Sequence, residues 1–110
     1  MDVEVDEAQL LALAGNDREM VLAIVADFLE DGRRLIGGVV TAQAAGEEAE
    51  VKGYLHQLKG ASGSLGMKSL YELCVKMEGL SAVDLSTESL KSLRHQHEQS
   101  VQFASSCLRG

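Results

Sequence analysis

A chain of 110 residues holds one domain with one core and is too short for two. Hydrophobic residues make up 45% of it, aromatics only 4%, and Trp is absent, so the core is aliphatic. The formal net charge of -7 argues against nucleic acid as a main partner and disfavours anionic membrane surfaces, because both recruit Lys and Arg.

Proline is absent, and the chain is rich in strong helix formers. The first predicted helix covers Asp6 to Ala14, with Leu10, Leu11 and Leu13 as its apolar side and Gly15 as its stop. Asn16 is placed to cap the second helix, with Glu19 three residues on completing a capping-box pattern. From Asp17 onward Val21, Ile24, Val25, Phe28 and Leu29 recur at helical spacing, and Leu35, Ile36, Val39 and Val40 continue the stripe. Gly32, Gly37 and Gly38 lie inside this run and each costs a helix about 1 kcal/mol relative to Ala. A bend or a break is expected near them, with the helix ending by Gly46. The third helix runs from Glu47 to Leu65 and stops at Gly66. The fourth runs from Lys68 to Leu80, where Leu70, Leu73, Cys74, Met77 and Leu80 fit one apolar face. Ser81 to Leu85 is a loop, and Ser86 caps a last helix whose stripe is Leu90, Leu93, His97, Val101, Ala104 and Leu108. No segment alternates with period two for long, so no strand is expected. These elements and their short connections predict an all-α fold, an antiparallel up-down four-helix bundle with a short additional N-terminal helix, forming a single domain over residues 1–110.

Cys74 and Cys107 are far apart in the chain and are expected to be reduced thiols, largely buried. Met1 leads into an acidic segment rather than a signal peptide, and runs such as Met20 to Ala26 fall far short of a membrane span. A cytoplasmic location is expected.

The informative segment surrounds His56. On a helical wheel at about 100° per residue, Val51, Leu55, Leu58, Ala61 and Leu65 gather on one side and His56 points almost directly away from them. Its outward neighbours are Ala49, Gly53, Gly60 and Gly63 together with Lys52 and Lys59. Three glycines on one exposed face cost about 3 kcal/mol of helix propensity against alanines. Bare backbone beside an exposed imidazole fits the close approach of something bulky, though it also fits tight packing by another helix. An imidazole nitrogen with a free lone pair is a nucleophile. Phosphoryl transfer asks little more than in-line access and charge neutralisation. Lys59, one turn away, can hold a phosphoryl oxygen, and Lys52 can assist from the other direction.

The run His56-Gln57-Leu58-Lys59-Gly60-Ala61-Ser62-Gly63-Ser64-Leu65-Gly66, followed by Leu70, Leu73, Cys74 and Glu78, resembles the signature of histidine-containing phosphotransfer (HPt) domains. The family pattern is roughly H-x-L-K-G-x-[SA]-x-x-x-G followed by a leucine-rich helix, and the match is gapless across Gly53 to Glu78. The resemblance implies a helical bundle in which His56 is the phosphoacceptor, Lys59 stabilises the phosphoryl group, and Gly60 and Gly63 leave room for the partner. It implies no cofactor and no metal of the chain's own, since Mg²⁺ would belong to the partner receiver domain. The implied partners are response-regulator receiver domains and a hybrid sensor histidine kinase, met by a monomer without autokinase activity. A second basic residue near the histidine has only weak candidates, Lys68 and Lys76. A docking surface is expected to draw on the first helix and the start of the second, at Leu11, Leu13, Met20 and Ile24.

Alternatives remain at this stage. The chain is also compatible with an HPt module cut from a hybrid or chemotaxis-type kinase, or with a helical interaction module that does no chemistry. The dimerisation domain of an ordinary histidine kinase fits less well, because Gln57 follows the histidine where an acid is usual and no Pro comes after it. His95 and His97 lie on different helix faces and are assigned no function, with His97 expected at the edge of the core.

Overall fold

The computed structural model describes residues 3–110; the reading of Met1 falls outside them. The helices are α1 (Glu7–Ala12), α2 (Arg18–Ala44), α3 (Glu48–Ser64), α4 (Lys68–Glu78) and α5 (Thr87–Arg109), with a 3₁₀ turn at Ala82–Asp84 between the last two. α2 to α5 run up and down as an antiparallel bundle. Each long helix packs against its two neighbours in the ring, and α1 lies across the end where α2 begins and α5 finishes. At 27 residues and about 1.5 Å per residue, α2 spans nearly the whole 42 Å long axis.

Side chains set most of the helix starts. Asp6 Oδ1 accepts from Gln9 N at 3.1 Å, Asp17 Oδ1 from Met20 N at 3.1 Å, and Ser86 Oγ from Ser89 N at 3.1 Å. The second of these corrects the expected cap at Asn16. Gly15 and Asn16 both take positive φ, 58° and 67°, to turn the chain out of α1, so the cap falls on the next residue with a side-chain oxygen, Asp17.

The alternative of a break at the glycines of α2 is also absent; the helix is continuous through all three. A Cβ built at Gly32 would stand 2.0 Å from the His97 ring, and one at Gly38 would stand 2.6 Å from the Tyr54 ring. Those two glycines are sockets for side chains of α5 and α3. Close helix approach therefore accounts for them, at the cost of propensity. Nothing lies within 4 Å of the Cβ position at Gly37.

The core is aliphatic, as the composition requires. Leu10, Leu35, Ile36, Leu55, Leu58, Met67, Leu70, Met77, Leu85 and Leu93 are fully buried. His97 is not at the core edge but fully buried. Its Nε2 donates to the Leu29 carbonyl at 3.0 Å, and its ring meets Phe28 edge-on with centroids 4.8 Å apart. A short segment precedes α1 and pairs with the α3–α4 turn through an isolated bridge between Val5 and Met67. Asp6 N donates to the Gly66 carbonyl at 2.7 Å there, and Gly66, with φ of 69°, stops α3 as expected. No helix among the described residues is long and apolar enough to cross a membrane.

Candidate functional site

α3 buries Val51, Leu55, Leu58 and Ser62 and leaves His56 on its outer face, with its side chain 73% exposed. The hydrophobic stripe therefore aims the imidazole outward. Gly53 and Gly60 flank it, and a Cβ at either position would meet nothing within 4 Å. The space over Gly60 is open. Gly63 differs. A Cβ there would stand 3.1 Å from Tyr71 Cδ2, so its missing side chain admits the tyrosine ring and does not simply leave open space.

α4 lies antiparallel beside α3 and ends next to the histidine. Its last residue, Glu78, sits between two side chains of α3. Oε1 is 3.3 Å from His56 Nδ1 and Oε2 is 2.7 Å from Lys59 Nζ. Glu78 and Lys59 are only about a fifth exposed, so the pair is sheltered while the imidazole is not. The carboxylate beside it pushes the Lys59 ammonium pKa up, chiefly through that hydrogen bond. Lys52 does not reach toward the imidazole. Its Nζ donates to the Glu78 carbonyl at 2.8 Å and to the Leu80 carbonyl at 3.4 Å, capping the C-terminal end of α4. A carboxylate in the last turn of a helix opposes the helix dipole, and the two lysines of α3 offset that cost.

A carboxylate oxygen 3.3 Å from Nδ1 favours the tautomer that carries its proton there, which leaves the Nε2 lone pair free. Glu78 belongs to the sequence motif, but its task is not legible there. The available signal was an acid in the last turn of a helix, where a base is favoured. Neither weak candidate for a second basic residue joins this cluster. Lys68 Nζ lies 3.9 Å from Glu4 Oε1, and Lys76 lies on exposed α4 surface. The suspected docking residues divide: Leu11 and Ile24 pack against the core, whereas Leu13 and Met20 are exposed.

The sequence matches the family model of the Hpt domain over residues 23–103, most of its length. The chain belongs to the Hpt domain family. Hpt domains are phosphotransfer carriers, and in two-component systems they interact with receiver domains and kinases. Among solved structures, this Hpt domain is similar to the HPT domain from the Hpt sensor hybrid histidine kinase from Shewanella. The TM-score is 0.71 with 18% identity, covering 96% of this chain and 93% of that one. At that identity the likeness shows the shared helical fold. No curated protein matches the sequence. The Hpt domain's bundle is thus the expected one, and the structure adds an acid–base pair that sequence did not resolve.

Proposed function

We propose that this Hpt domain is the phosphohistidine intermediate of a multistep phosphorelay, taking a phosphoryl group from one receiver aspartate and passing it to another. The observation that carries the reading is the exposed imidazole of His56, open over Gly60 and backed at Nδ1 by Glu78. The Nε2 lone pair attacks phosphorus in line, the bond from phosphorus to the aspartyl oxygen breaks, and the carboxylate leaves. The Nδ1 proton stays in place, and Glu78 offsets the positive charge the ring acquires. The reverse step expels the imidazole to a second carboxylate. Lys59, held at the edge of the site by Glu78, supplies the cation for a phosphoryl oxygen. Mg²⁺ is assigned to the receiver, and the domain acts as a cytoplasmic monomer without autokinase activity.

The Shewanella domain comes from a hybrid kinase, so the same chemistry as one module of a larger kinase chain is the second reading. Both readings give His56 the same task. The test is incubation with a panel of receiver domains phosphorylated with labelled acetyl phosphate. Label is expected on His56, lost in His56→Gln, with a folding stability within about 0.5 kcal/mol of the parent because the residue is exposed. Label on His95 or His97 instead would overturn the assignment.

A further inference from the structure

α4 is the shortest helix of the bundle, and its end is the part that meets His56. Leu70, Cys74 and Met77 bury its inner face. Past Met77 no residue is buried until Ala82, whose N–H goes to Glu48, and Leu80 is 36% exposed. Apolar packing therefore does not fix the stretch that carries Glu78. A glycine stop does not fix it either. Gly79 keeps an ordinary φ of -76°, unlike the left-handed Gly66 that ends α3, so the last carbonyls of α4 are left for other donors. Lys52 supplies them, with Nζ bonded to the Glu78 and Leu80 carbonyls. Lys52, His56 and Lys59 follow one another a turn apart along one face of α3. Glu78 is thus tied twice to the helix that bears the histidine, by its main chain to Lys52 and by Oε2 to Lys59. Its Oε1 is left for Nδ1.

We infer that Lys52 is a positioning residue for phosphoryl transfer: it holds the end of α4, and through it the Glu78 carboxylate, against His56. The inference rests on His56 being the phosphoacceptor and adds a residue that does not touch the reacting atoms. The 3.3 Å from Oε1 to Nδ1 stands at the long end of the hydrogen-bond range, which for nitrogen and oxygen is about 2.7–3.2 Å. An outward drift of the end of α4 by a few tenths of an ångström breaks that contact. Helix ends drift in this way when nothing takes their carbonyls. The 2.8 Å bond from the Lys52 ammonium is of the stronger, charge-assisted kind and opposes it. Misplacement on this scale slows a reaction even when it begins away from the chemistry. A lysine expected to meet the phosphoryl group thus serves the same step at one remove.

The experiment uses the full chain and two donors, phosphoramidate as the small one and a receiver domain phosphorylated with acetyl phosphate as the large one. Lys52→Met is expected to slow labelling of His56 from both by about three- to tenfold, and the ¹⁵N shifts of the His56 ring should move toward a mixture of neutral tautomers. Lys52→Arg still donates to two carbonyls and should recover most of the parent rate and shifts. In a Glu78→Ala background, Lys52→Met should alter the rate by no more than about 1.5-fold, because the group it positions is gone. Lys76→Met removes the same charge from the exposed side of the same helix turn and should behave like the parent. If the loss in Lys52→Met persists in full without Glu78, the inference is overturned, since Lys52 then acts on the phosphoryl group itself. A loss seen with the receiver alone overturns it in favour of a contact with the partner, and an equal loss in Lys76→Met reduces it to general charge. Parent rates and ring shifts in Lys52→Met also defeat it and leave the phosphoacceptor standing. If neither donor labels His56 in the parent, the phosphoacceptor reading falls and this role falls with it.

Discussion

Glu78 holds two side chains of α3 at once, and its removal separates two effects. In Glu78→Gln the carboxylate that favours a proton on Nδ1 is gone and so is the partner of Lys59. Phosphoryl transfer is expected to slow on the order of tenfold, and the ¹⁵N shifts of the His56 ring should show the two neutral tautomers mixing. The Lys59 ammonium pKa should move down, since the carboxylate is what raises it. Unchanged ring shifts would mean that the 3.3 Å contact does not orient the imidazole. Gly60 makes the complementary case, because its Cβ position is open. Gly60→Gln should raise stability by about 0.5–1 kcal/mol through helix propensity while blocking transfer. Parallel measurement of the urea midpoint and the transfer rate checks that the two move in opposite directions. Cys74, by contrast, is an inert core residue: burial pushes its thiol pKa up to about 12.

Within α2 three glycines share one residue type and one helix but answer to different neighbours. Gly37 has nothing near its Cβ position, so Gly37→Ala should stabilise the fold by about 0.5–1 kcal/mol. A Cβ at Gly32 would stand 2.0 Å from the buried His97 ring, so the overpacking in Gly32→Ala should cost about 1–3 kcal/mol or more. Denaturant unfolding of both variants checks the difference in sign. Propensity alone treats the three positions alike, which is why a bend or a break was expected, and continuity excludes the break. The cap at Asp17 has a similar origin. Asn16 satisfies the capping pattern, but leaving α1 needs a left-handed backbone there, and Asn is among the few residues that adopt it readily.

Across the whole molecule, His97 couples α5 to α2. Leu29, Phe28 and Gly32 surround its ring from α2, and its Nδ1 is buried with no hydrogen-bond partner. Burial lowers its pKa below the ordinary 6.5, against smaller opposing contributions from the Leu29 carbonyl and from Glu98; Arg33 also lowers it. The folded pKa lies below the unfolded one, so its contribution to stability is full above about pH 6.5 and is lost as pH falls through the folded pKa. The slope from this one proton is at most about 1.4 kcal/mol per pH unit. Glu98 acts in a lower window. Its hydrogen bond to Arg33 lowers its pKa below 4.5, so that contribution is present above 4.5 and disappears as pH falls through the folded value. Urea midpoints between pH 8 and 5 should decline in the parent and stay flatter in His97→Gln, whose amide can still donate to Leu29. Equal slopes would show that His97 is not the titrating group.

The sequence alone determined the number of helices, most of their ends, the aliphatic core and the outward direction of His56. All of these follow from periodicity and local backbone preference, which act over a few residues at a time. Tertiary structure decided what each polar or absent side chain is for: that Glu78 joins His56 to Lys59, that Lys52 caps α4, that Tyr71 occupies the space at Gly63, and that His97 fills the socket at Gly32. Those roles depend on the distance between helices remote in the chain, and that distance is set only when the apolar stripes lock the bundle into one packing.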